Sequence, residues 1–61
     1  MKLPKIAVYK ENHASIDKDA GGLYVVRVYK GNNLHDKVRC DDYRQAMDYY
    51  KAFRAIAAKT I

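Results

Sequence analysis

The sequence predicts an α+β fold: a three-stranded antiparallel meander with one C-terminal helix packed on one face, in the order strand, strand, strand, helix. Three observations predict it. The run LYVVRVYK, Leu23 to Lys30, is the only stretch that is β-branched, aromatic and alternating over a full strand length. Gly31-Asn32-Asn33 follows it directly and supplies residues that tolerate positive φ, the chemistry of a tight antiparallel turn. From Asp42 onward apolar residues recur with a helical period behind a capping pattern, Asp42-x-x-Gln45.

The elements can be justified in chain order. Lys5 to Lys10, KIAVYK, reads as an edge strand, with Pro4 tolerated at its start, Ile6 and Val8 on the core face, and Ala7 and Tyr9 on the other. Glu11 to Gly22 is polar and ends in Ala20-Gly21-Gly22, so a long connection is expected there, with Ile16 as its apolar anchor. Within it Asp17, Asp19 and Gly22 echo a calcium loop, but the fifth and twelfth positions of such a loop fall on Gly21 and Val28, which offer no carboxylate. In the central strand Tyr24, Val26 and Val28 point one way and Leu23, Val25, Arg27 and Tyr29 the other. The first set suits the helix, and the opposite parity, with Leu23 and Val25 beneath it, stays open.

Leu34 to Cys40 reads as the third strand, with Leu34, Val38 and Cys40 inward, His35, Lys37 and Arg39 outward, and Asp36 interrupting the apolar face near the turn. A helix is expected from Tyr43 to Lys59. Tyr43, Ala46, Met47, Tyr50, Phe53 and Ala57 form its apolar stripe, widened by Tyr49 and Ile56. The expected core is Ile6, Val8, Tyr24, Val26, Val28, Val38, Cys40, Ala46, Met47, Tyr50, Phe53 and Ala57.

Composition narrows the function classes. The 61 residues make a single domain, 1–61, near the lower size limit for a core that holds without metal or disulfide. Cys40 is the only cysteine and cannot form an internal disulfide, which points to a reducing, cytoplasmic setting. The segment MKLPKIAVYK lacks the apolar core of a signal peptide, and no apolar run is long enough to span a bilayer, so no membrane partner is expected. The net charge of +5 favours an anionic partner, and residues 1–40 carry most of it.

On the face away from the helix the pattern gathers Tyr9, Arg27, Tyr29, His35, Lys37 and Arg39. Guanidinium and ammonium groups attract phosphates and tyrosine rings stack on bases, so Tyr9, Arg27, Tyr29, Lys37 and Arg39 are the candidate nucleic-acid-binding residues. The plainer account is that the wet face of an antiparallel sheet carries polar side chains whatever it binds. Leu23 and Val25 on the same face ask for a cover, possible in a protein partner. No catalytic residue, metal ligand or cofactor is expected: His13 and His35 have no nucleophile beside them, Cys40 alternates inward, and Asp41 with Asp42 suits a helix start.

The order of first strand, LYVVRVYKGNN hairpin, third strand and DDYRQAMDYYKAF helix resembles the three-stranded-sheet-plus-helix DNA-binding modules at the amino ends of tyrosine recombinases, which are AP2-like in shape. The resemblance covers residues 5–59. It implies a sheet face that enters the major groove, with Arg27, Tyr29, Lys37 and Arg39 as the reading residues. In size the chain is also similar to small phage or mobile-element accessory proteins, including anti-CRISPR inhibitors, and that resemblance implies a host protein complex as partner.

Overall fold

The computed structural model describes residues 4–59, so residues 1–3 of the MKLPKIAVYK segment lie outside it. The fold is α+β with an antiparallel sheet and one C-terminal helix, but the sheet has four strands where three are expected. They are β1 (Lys5–Tyr9), β2 (Asn12–Lys18), β3 (Tyr24–Lys30) and β4 (Asn33–Cys40), followed by α1 (Tyr43–Ala58). The spatial order is β1-β2-β3-β4, so β1 and β4 are the edges. Among the described residues no helix is long and apolar enough to cross a membrane.

The extra strand is β2, which occupies most of the expected connection between Glu11 and Gly22. Its composition is poor for a strand, and tertiary context overrides that weakness. Asn12, Ala14 and Ile16 alternate into the core and are buried, while His13, Ser15 and Asp17 alternate away from it and are half-buried. The turn that launches β2, Lys10-Glu11, has no glycine or asparagine, and Lys10 takes φ 56. A left-handed backbone costs an L-residue about 1–2 kcal/mol, against roughly 0.5–1 kcal/mol for the extra entropy a glycine loses on folding. Lys10→Gly is therefore expected to raise stability, by up to about 1 kcal/mol. A urea midpoint below that of the parent would refute this.

At the other end of β2, Asp19 closes the loop. Its backbone N–H donates to the Leu23 carbonyl at 2.8 Å, and its carboxylate accepts from the Leu23 N–H at 2.9 Å. Gly22, at φ 87, donates to the Asp19 carbonyl at 3.1 Å. Leu23 thus belongs to this loop and not to the central strand, which begins at Tyr24.

The core lies between α1 and the middle of the sheet. Ala14, Ile16, Val26, Val28 and Cys40 meet Ala46, Tyr50, Phe53 and Ala57 in one buried cluster. Ile16, Val26 and Val28 are fully buried, each contributing about 1.5–3 kcal/mol of transfer free energy. Ala14, Ala46 and Ala57 are equally inaccessible, and their small side chains let the helix come close to β2 and β3. The parity expected for the central strand holds, with Val26 and Val28 beneath the helix. Tyr24, Val38 and Met47 sit at the margin of the cluster, half-buried.

The expected facing of β1 and of Leu34 is corrected. Ile6 and Val8 are 60% and 68% exposed, on the face away from the helix. The short Lys10-Glu11 turn ties the parity of β1 to that of β2, pairing Ala7 with Ala14 and Tyr9 with Asn12, so Ala7 and Tyr9 face the helix. Slipping β1 by one residue would bring Ile6 inward only by breaking that turn. Leu34 is 49% exposed because the β3–β4 register shifts between Val28 and Tyr29: Val28 pairs with Asp36 and Tyr29 with Leu34, which leaves His35 unpaired in a bulge. Beyond this bulge the alternation expected for Leu34 is inverted. Val25 faces away from the helix between Asp17 and Arg39, as expected, but at 3% exposure it needs no cover from a partner.

Asp42 caps α1 as expected, accepting from the Arg44 N–H at 3.2 Å, and the helix ends at Ala58, with Lys59 as its C-cap, whose N–H reaches the carbonyls of Ala55 and Ile56. The Ala57 carbonyl is among the last four of a helix that lack an intrahelical donor. Asn12 supplies one: its Nδ2 donates to that carbonyl at 3.1 Å, while its Oδ1 accepts from the Gly31 N–H at 3.1 Å. One buried amide thus joins β2, the end of α1 and the β3–β4 turn. At that turn Gly31 takes φ 63, a conformation in which a Cβ would be strained.

Candidate nucleic-acid interface

The face of the sheet away from the helix is built in cross-strand rows. Nearest the two hairpin turns, Val8, His13, Tyr29 and Leu34 follow one another across β1, β2, β3 and β4. The next row is Ile6, Ser15, Arg27 and Lys37. Below it Asp17, Val25 and Arg39 are register partners. Rows along a strand are about 6.6 Å apart, two residues of rise.

Of the expected site residues, Arg27, Tyr29, Lys37 and Arg39 do share this face, on the adjacent strands β3 and β4. Arg27 and Lys37 stand directly opposite each other, and Arg39 is two residues from Lys37. Lys37 and Arg39 are exposed, whereas Arg27 and Tyr29 are half-buried, so their stems and rings pack on the sheet while their polar ends remain within reach of a ligand. Tyr9 does not belong to the set. It faces the helix, and its hydroxyl accepts from Arg54 Nε–H at 3.2 Å, a contact that ties β1 to α1. Its displacement follows from the reversed parity of β1. His35 lies in the bulge and is exposed.

Six residues join the face that the sequence pattern places elsewhere or leaves unassigned: Ile6, Val8, His13, Ser15, Asp17 and Leu34. The His13 and Tyr29 rings stack across β2 and β3, with centroids 4.6 Å apart and planes 16° from parallel. Each ring covers one face of the other, which holds both in place. The face is therefore graded. Exposed aliphatic side chains dominate at the β1 edge, aromatic rings and Arg27 occupy the middle, and cations dominate at the β4 edge. Asp17 is the only carboxylate in these rows, against the cations of Arg27, Lys37 and Arg39.

Reactive groups are not gathered here. Cys40 is 6% exposed on the opposite side of the sheet, and burial first, then the carboxylates of Asp41 and Asp42, push its thiol above the usual range. A thiol so placed is a poor nucleophile at neutral pH. Among the described residues no three or more His, Cys, Asp or Glu side chains are grouped to hold a metal ion. A scan against protein-family models and searches of curated proteins and of solved structures returned no match.

Proposed function

We propose that this protein is a non-enzymatic binding module that holds nucleic acid on the open face of its sheet. One observation supports the reading above all: Arg27, Lys37 and Arg39 stand with Tyr29 on one face of two paired strands. Cations rooted at fixed spacing on two paired strands can track a phosphate backbone, because the sheet sets where each side chain starts. The net charge of +5 adds long-range attraction of the same sign. DNA is the first ligand to test. Binding to a mixed-sequence duplex and to single strands is expected to weaken steeply as salt rises, since each phosphate contact releases counterions. Affinity that is absent at low salt for all of these would end the proposal.

A second reading has its own observation. Ile6 and Val8, 60% and 68% exposed on an edge strand, form an apolar border of the kind that a protein partner covers, as an accessory protein acting on a host complex would require. That reading expects capture of one protein that survives high salt and is lost in Val8→Asp.

A further inference from the structure

The fourth strand changes which nucleic acid the face fits. We propose that the ligand is single-stranded, its bases lying on the row of Val8, His13, Tyr29 and Leu34 and its phosphates on Arg27, Lys37 and Arg39; this rests on the nucleic-acid reading above. Four strands span about 14 Å from backbone to backbone, three gaps of about 4.8 Å, before side chains are added. The major groove of a duplex is about 12 Å wide and admits a helix or a two-stranded ribbon. A sheet with β1 at its border is too broad to enter with all four strands. Docking β3 and β4 alone would leave Ile6 and Val8 against sugar and phosphate.

Those two side chains argue for unpaired bases. A duplex presents charged phosphates outward and buries its base faces in the stack, so exposed aliphatic side chains on β1 find little in it to bury against beyond thymine methyls. An unpaired base has an apolar face to bury, and stacking it on an aromatic ring is worth roughly five- to 150-fold in affinity per base. The rows have the spacing for this. Tyr29 and Arg27 are two residues apart on β3, about 6.6 Å, so one nucleotide can set its base on the first row and its phosphate on the second. Arg27 and Lys37 lie one row, and Arg39 two rows, farther from the hairpin turns than Tyr29 and Leu34, which gives the bound strand an orientation: its backbone crosses β3 and β4 at the cations and its bases point toward those turns.

The test is fluorescence anisotropy with labelled oligothymidylate and oligouridylate of about 12 nucleotides, within the site sizes of small sheet-based binders, beside a duplex of equal length. The oligothymidylate or the oligouridylate is expected to bind at least tenfold more tightly than the duplex, roughly one stacked base. An oligodeoxyuridylate of the same length, which differs from the oligouridylate only in the sugar, then identifies the sugar preference. Tyr29→Ala is expected to weaken single-strand binding about tenfold and to leave duplex binding within about twofold. Tyr29 is half-buried, so Val8→Ser, at an exposed position, serves as a second variant and is expected to act in the same direction by a few-fold while the far-UV circular dichroism is unchanged. Duplex binding equal to or tighter than that of both single strands, or a Val8→Ser variant with undiminished affinity for them, overturns the inference and leaves the nucleic-acid reading standing. Absence of binding to all three overturns both.

Discussion

Replacing Asn12 with leucine is expected to lower the stability of this domain by about 3 kcal/mol, the largest effect of any single polar substitution here. The amide is 9% exposed and makes two long-range hydrogen bonds of 3.1 Å, to the Ala57 carbonyl and from the Gly31 N–H. Each bond contributes about 0.5–1.5 kcal/mol net, and a buried group left unpaired costs about 1–3 kcal/mol. Leucine is close in volume, so the loss reports the hydrogen bonds more than a cavity. A domain of this size has about 3–9 kcal/mol of total stability, and a loss of about 3 kcal/mol shifts the midpoint of thermal unfolding by 12 °C or more. Asn12→Asp separates the two bonds. The acceptor for Gly31 survives, but at neutral pH a carboxylate faces the Ala57 carbonyl, and burial beside that oxygen raises its pKa above the unfolded value. A raised folded pKa means that stability is present below the unfolded pKa of about 3.9 and is lost as pH rises through the folded one. The deficit of Asn12→Asp is thus expected to be smaller at pH 4 than at pH 7. Equal urea midpoint differences at both pH values, or an Asn12→Leu loss below about 1 kcal/mol, would show that the amide does not pin the helix end.

The features legible in the sequence were those set by local chemistry. The central strand, its glycine turn and the capped helix each carry a signal within a few residues, and the alternation of Val26 and Val28 placed the helix on the correct side. The strand β2 was illegible because its identity comes from its neighbours. Asn12 and Ala14 have no preference for extended backbone, and they are strand residues because α1 needs a small side chain at Ala14 and a donor at Asn12. The same gap extends to β1. With Glu11 to Gly22 reading as a loop, the sequence does not constrain the parity of β1, and the larger side chains Ile6 and Val8 point to the core in preference to Ala7, which puts Tyr9 on the open face. Of the candidate site, the part on β3 and β4 was readable from simple alternation, while the apolar and aromatic half, which bears on the kind of ligand, depended on the register of β1 and β2. The bulge at His35 is a further limit, since a one-residue insertion inverts Leu34 with no composition to announce it.

The second large expected effect is on binding. Arg27 and Arg39 stand on adjacent antiparallel strands, Arg27 opposite Lys37 and Arg39 two residues farther along β4, so their side-chain bases are about 7–8 Å apart on the diagonal. Both reach the same side of the sheet, and one phosphate track can meet both. Arg39→Ala, at an exposed position, is expected to change stability by no more than about 0.5 kcal/mol, and Arg27→Ala slightly more because its half-buried stem packs on the sheet. In the double variant the slope of log affinity against log salt is expected to flatten by nearly two units on a duplex, about 0.9 for each lost phosphate contact, and by about 1.4 on a single strand. The two slopes also distinguish the ligand, since the same pair of residues gives a different decrement on each. If a protein covers Ile6 and Val8 instead, the double variant changes affinity only modestly, as rim charges do, and Val8→Asp removes it. Val25 is unsuitable for that comparison: at 3% exposure a carboxylate there would unfold the sheet before it reported on any partner. An unchanged salt slope in the double arginine variant, with the fold intact by circular dichroism, would eliminate nucleic acid as the ligand of this face.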